Sequence, residues 1–166
     1  MLCLAWGVIR ERGDDDLESC AGFLRDVHEV AGYPVNWPVD PRAWLTPPEM
    51  LGAWVITTDG GRVAGHVALT AGSPGTALVE RLFVDPKATG GGLGRRLLEH
   101  AVAMGSKLGR RVSLEVADNC AAAIALYRRA GWQETGRTPI GWGGRQASAV
   151  LHFEPAESVR AGSDRL

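Results

Sequence analysis

Apolar and polar positions along this chain switch between two periods, and the switches predict its elements. Leu4 to Arg10 is apolar enough for a first strand. Asp14 to Ala31 follows with Leu17, Cys20, Phe23, Leu24, Val27 and Val30 at helical spacing. Asp14 to Asp16 suit the positive end of that helix, and Gly32 ends it. Ala53 to Thr58, the turn Asp59-Gly60-Gly61, and Arg62 to Thr70 read as a β-hairpin. Ala77 to Val84 is a further strand. Gly92 to Leu108 is a helix with Leu93, Leu97, Leu98, Ala101 and Met104 on one side. Val112 to Val116 is a strand and Ala121 to Ala130 a helix ended by Gly131. Trp132 to Thr138 and Ala147 to Glu154 close the pattern as antiparallel strands. The order β, α, β, β, β, α, β, α, β, β predicts one α/β domain over residues 1–154, with a loose polar tail over 155–166.

One stretch escapes both periods. Between Tyr33 and Pro48, the prolines 34, 38, 41, 47 and 48 rule out a long regular helix. Trp37 and Trp44 give this segment large apolar surfaces. Two roles fit them: packing the loop onto the core, or walling a ligand site. Trp37 and Trp44 are therefore the candidate substrate contacts.

Composition narrows the field. The chain has 166 residues, 45% of them hydrophobic and 22% charged, with a net charge of -1. That lacks the basic excess of a nucleic-acid binder, and the aromatic-rich segment Tyr33 to Trp44 contains one cation, Arg42. No apolar run reaches membrane-spanning length, and Met1 to Ile9 lacks the basic start of a signal peptide. Cys3, Cys20 and Cys120 are odd in number and widely spaced, which suits a reducing, cytoplasmic setting. The four histidines show no ligand spacing, so no metal is expected. Neither a nucleic-acid partner nor a membrane is expected. The sequence leaves monomer and homodimer both open.

The chemistry concentrates in Thr89-Gly90-Gly91-Gly92-Leu93-Gly94-Arg95, between a strand and a helix. Glycines let the backbone approach a ligand closely. A helix start offers free N–H groups and a positive dipole end, a seat for phosphate. Arg95 and Arg96 would oppose that dipole unless an anion sat there. The P-loop lysine is missing, and GxGxxG fails from either Gly90 or Gly92.

The run from Val84 through Asp85-Pro86-Lys87-Ala88-Thr89 and the glycines to Leu97-Leu98 resembles the V-x-P-x-x-R-G-x-G-x-G-x-x-L-L pattern of the GNAT acetyltransferases. Downstream, Leu114-Glu115-Val116, Asn119-Cys120, Ala123-Ile124, Leu126-Tyr127 and Gly131-Trp132 resemble the family's L-E-V-x-x-x-N-x-x-A-I-x-L-Y-x-x-x-G-F, as in N-terminal acetyltransferases of ribosomal proteins. The resemblance covers roughly residues 53–138. It implies a mixed, mostly antiparallel sheet flanked by helices, with strands 77–84 and 112–116 splayed at one end. It also implies transfer of an acetyl group from acetyl-CoA to a primary amine. On this resemblance Gly90, Gly91, Gly92, Leu93, Gly94 and Arg95 hold the pyrophosphate, while Leu82, Phe83 and Val84 meet pantetheine through the main chain. Thr89 stands where the family has Arg or Gln. The family Asn falls on Cys120, with Asn119 one place early, so either residue can meet pantetheine.

The resemblance implies Tyr127 as the acid that protonates the leaving thiolate, and Glu115 as a base. Glu80 is a second candidate base. Simple alternation puts it on the face of Leu78, Leu82 and Val84, where a carboxylate needs a partner or a function. His66 is a third candidate. The rival from another class is a non-catalytic CoA-binding or sensing module.

Overall fold

The computed structural model describes residues 7–88 and 90–156. The first six residues, Thr89 and the residues from 157 onward lie outside it. With them go the beginning of the expected first strand, the head of the glycine turn and most of the expected tail.

The elements run β1 (Ile9–Glu11), α1 (Asp16–Ala31), α2 (Pro41–Trp44), β2 (Met50–Thr57), β3 (Val63–Ala71), β4 (Thr76–Val84), α3 (Leu93–Lys107), β5 (Arg111–Ala117), α4 (Ala121–Arg129), β6 (Trp132–Pro139) and β7 (Ala149–Pro155). A 3-10 turn at Pro86–Ala88 leads into the glycines. The expected order holds. The proline-rich segment adds one helical turn, α2, because Asp40 caps it through Ala43 N–H and Pro41 occupies its first position. The closing strand runs past the expected boundary: Pro155 pairs with Trp132, and Ala156 N–H reaches the Gly131 carbonyl.

Seven strands form one sheet in the order β1-β2-β3-β4-β5-β7-β6. Every neighbouring pair is antiparallel except β4–β5. That parallel pairing runs from Thr76↔Arg111 to Val79↔Leu114 and stops there. Beyond it β4 continues to Val84 on β3, and β5 continues to Ala117 on β7. The facing edges of Glu80–Val84 and Glu115–Ala117 therefore part, which is the expected splay.

The sheet carries apolar clusters on both faces. On one, α3 seats Leu97, Leu98 and Ala101 against Ile56, Val67, Leu69 and Val79, and α4 adds Tyr127. On the other, α1 seats Cys20, Phe23, Leu24 and Val27 against Val55, Val63 and Phe83. Helix α3 lies tight on β3. A Cβ at Gly65 would stand 2.9 Å from both Leu97 Cδ1 and Ile56 Cγ2, and 3.3 Å from the Phe83 carbonyl.

A bulge in β4 overturns the simple alternation. Val67 of β3 faces two residues, because His66 pairs with Phe83 while Ala68 pairs with Glu80. Arg81 takes up the extra residue at φ 53°. Sidedness inverts there: Ala77, Val79, Leu82 and Val84 join the α3 face, and Phe83 joins the α1 face. Glu80 therefore shares its side with Phe83 and His66, not with Leu82 and Val84 as alternation predicts.

The contact at Gly65 generates a test. Gly65→Ala should overpack the α3–β3 seam and cost about 1–3 kcal/mol. A lower midpoint in urea denaturation with an unchanged slope would show it.

Candidate active site

The parted strands open a cleft of about 950 Å³ that passes through the sheet. Its walls come from β4 and β5, the N-terminus of α3, helix α4, and the segment after α1. The backbone edges it exposes have no strand to pair with, so they can hydrogen-bond an extended ligand.

The glycine turn lies on the α3 side. Asp85 anchors its approach: it is 3% exposed, pairs with Arg62 at 2.8 Å, and accepts Lys87 N–H at 3.0 Å. Gly90 and Gly92 have φ of 91° and 72°, which side chains seldom tolerate. Gly92 caps α3 and has no side chain of its own to occupy the first-turn N–H groups. Gly94 is needed for closeness, since a Cβ there would lie 3.3 Å from Leu126. Gly90, Gly92, Leu93, Gly94 and Arg95 all line the cleft. Arg95 is half exposed and pairs with Glu99 at 3.1 Å, an exposed contact that ties it down weakly. The turn thus fits an anionic diphosphate, and the parted edges fit an amide-bearing chain.

Tyr127 enters the cleft from α4, packed against Phe153 at 5.8 Å and Trp132 at 6.3 Å between ring centres. Burial, and then the neighbouring Cys120 thiol, push its phenol above the ordinary value, so it stays protonated at neutral pH. Cys120 caps α4, is 5% exposed and lines the cleft. Asn119 is not among the lining residues; its amide lies beside Gly32. Leu82, Phe83 and Val84 line the cleft along the parted edge.

Both candidate carboxylates face the α1 side. Glu80 follows from the bulge. Glu115 alternates with Leu114 and Val116, which sit in the α3-side core. Both line the cleft. Glu115 also stands opposite His152 on β7, with Oε1 3.3 Å from its Nδ1. Tyr127 belongs to the opposite face, so the gap between β4 and β5 lies between its phenol and the two carboxylates.

His66 does not line the cleft. It is fully buried, and both ring nitrogens have partners: Arg12 Nη1 at 3.0 Å and the Arg81 carbonyl at 2.8 Å. A guanidinium can only donate, so Nε2 accepts and Nδ1–H donates to the bulge carbonyl. Arg12 also donates to the Leu45 carbonyl and to Thr46 Oγ1. Arg81 Nε donates to the Trp44 carbonyl, and its guanidinium lies 4.2 Å from the Trp44 ring centre.

The two tryptophans part company. Trp44 lines the cleft. Trp37 packs on α1 between His28, at 5.3 Å, and Arg25, at 4.8 Å, and is absent from the lining. Sequence reasoning missed Tyr33, Arg81 and Trp142, which do line the cleft. The one available signal was Gly141-Trp142-Gly143-Gly144, a large aromatic set among glycines.

A family profile described as the acetyltransferase (GNAT) family matches residues 17–132. The chain belongs to that family. It is 30% identical over 87 residues to the peptidyl-lysine N-acetyltransferase YjaB of Salmonella typhimurium, a match covering 52% of this chain and 54% of that protein. The match thus spans about half the length of this curated relative. The ribosomal-protein-S18-alanine N-acetyltransferase of Escherichia coli superposes with a TM-score of 0.69 at 24% identity, over 90% of this chain and 92% of that one. A Brucella melitensis ribosomal-protein-alanine N-acetyltransferase gives 0.70 at 22% identity, over 88% and 97%. These structures share the α/β fold with its mixed sheet flanked by helices. The family uses acetyl-CoA as cosubstrate.

The buried histidine makes stability depend on pH. Burial first, with the Arg12 and Arg81 charges, lowers the His66 pKa to about 4, despite its bond to the Arg81 carbonyl. The unfolded chain takes up that proton near its reference value of about 6.5. Unfolding therefore binds a proton between those values, and stability falls as pH drops through the window. Wild type should lose on the order of 3 kcal/mol more than His66→Gln between pH 7 and pH 4. Chemical denaturation at several pH values checks it; parallel losses would contradict it.

Proposed function

We propose that this protein transfers the acetyl group of acetyl-CoA to a primary amine, as a cytoplasmic enzyme acting without metal, nucleic acid or membrane. The proposed unit is one domain over residues 1–154, as a monomer or homodimer. One observation carries this reading. One cleft joins a glycine-lined helix start and a buried, protonated tyrosine on one face of the sheet to two carboxylates on the other. The names of the relatives, which act on peptidyl-lysine and on ribosomal proteins, support an amine acceptor.

Acetyl-CoA supplies the acyl thioester. Residues 90–95 hold its diphosphate through backbone N–H groups and the charge of Arg95. The free edge of Leu82–Val84 pairs with the pantetheine amides, and Cys120 borders that arm. Asn119 would need a local shift to reach it. The amine comes from the α1 side, where Glu80 and Glu115 can take its proton, directly or through water. Tyr127 gives its phenolic proton to the departing sulfur from the other side of the gap. Trp44 walls the acceptor side, whereas the position of Trp37 favours a packing role.

Tyr127→Phe tests the mechanism because it keeps the ring in place. With its pKa raised, Tyr127 should add no alkaline limb to the rate profile below about pH 10. The variant should keep its melting temperature and acetyl-CoA affinity while kcat falls about 10²-fold. Glu80→Gln or Glu115→Gln should lower kcat/KM by a similar factor at whichever carboxylate takes the proton. Tight acetyl-CoA binding with no turnover of any amine by wild type would instead establish a non-catalytic CoA-binding module.

A further inference from the structure

The α1-side mouth of the cleft has a chemistry of its own. Trp142 sits 54% exposed in the loop between β6 and β7 and also lines the cleft. Asn36 Nδ2 donates to its backbone carbonyl at 2.8 Å, which joins this loop to the segment after α1. The loop is shaped by its own bonds, with Gln146 and Ala147 N–H both reaching the Gly143 carbonyl. Gly143 itself leaves no room for a side chain, since a Cβ would run into the Ala147 carbonyl. The indole is thus presented to solvent on a tethered support. An aromatic ring at a concave mouth offers a broad, rigid apolar surface to a ligand. Tyr33 and Trp44 line the same cleft, their rings meeting edge-on at 5.8 Å, and Val30 adds an apolar side chain that is 75% exposed.

Charge at this mouth is mixed. Glu80 and Glu115 face it, and Glu115 already lies against His152. Arg81 is held in place over Trp44 by the bond to the Trp44 carbonyl. Two carboxylates stand against one guanidinium, so the fixed charges do not select against a cationic acceptor, and the aromatic walls set the preference.

We propose that the acceptor is a primary amine on an aromatic body. This rests on the acetyl-transfer reading above. Trp142 and Trp44 cover the body of the acceptor.

The test uses the full chain with saturating acetyl-CoA and four acceptors: phenethylamine, the dipeptide amide Phe-Ala-NH2, spermidine, and a lysine amide blocked at its α-amine. Phenethylamine or Phe-Ala-NH2 should exceed spermidine in kcat/KM by at least tenfold; which of the two leads tells a free amine from a peptide N-terminus. Trp142→Ala should raise KM for the preferred acceptor about tenfold, with acetyl-CoA KM and melting temperature unchanged. Preference for spermidine or the lysine amide, or an unchanged acceptor KM in Trp142→Ala, would overturn the proposal. Saturation-transfer NMR of phenethylamine separates this from the catalytic reading. Binding that is lost in Trp142→Ala, with no acetylation of any amine, would uphold the mouth and overturn the chemistry. No binding and no turnover would overturn both.

Discussion

Strands β4 and β5 exchange main-chain hydrogen bonds as far as Val79 and Leu114, and then diverge. Each keeps its other neighbour, so the divergence costs pairing on one edge of each strand alone. An unpaired buried edge is unfavourable unless water or a ligand satisfies it. Here it borders an open cleft, and the same edge gives an extended amide chain something to bind. The extra residue at Arg81 falls just past the last paired position. His66 and Arg12 clamp that bulge: a neutral imidazole relays a hydrogen bond from the guanidinium to the Arg81 carbonyl.

The clamp reaches beyond β4. Arg12 also holds Leu45 and Thr46, and Arg81 holds Trp44. One network thus sets the course of the strand and the position of the proline-rich segment beside it. The network works because His66 is fully buried and uncharged, since a proton on Nε2 would oppose a guanidinium 3.0 Å away. The sheet then separates the chemistry into two sides. The glycine turn and Tyr127 belong to the face of α3 and α4, and Glu80 and Glu115 to the face of α1. On the proposed reading, phosphate and amine are thereby held apart, and they meet at the gap between the strands.

Much of this was legible in the chain itself. The order of elements followed from apolar periodicity, and the glycine turn from four glycines where a strand hands over to a helix. Gly90 and Gly92 are there for positive φ, a demand local enough to leave a trace in composition. Tyr127 and Glu115 could be proposed because a resemblance spans their surroundings. Even the single turn of α2 is written locally, in Asp40 followed by Pro41.

Tertiary structure alone decided which way several of these residues point. Period-2 alternation assumes an uninterrupted ladder, so it put Glu80 with Leu82 and Val84; one residue in the left-handed region moved it to the opposite company. No local pattern announces such a bulge, because the side chain that clamps its carbonyl is His66, fifteen positions away in sequence. Trp37 and Trp44 look alike in a proline-rich run, yet one packs on α1 and the other lines the cleft, since only Trp44 is bound to Arg81. Trp142 reaches the cleft because Asn36, 106 residues earlier, bonds to its carbonyl. Local preferences determined what the elements are. Contacts between residues far apart in sequence determined which side chains face the cleft, because those contacts exist only once the sheet is assembled.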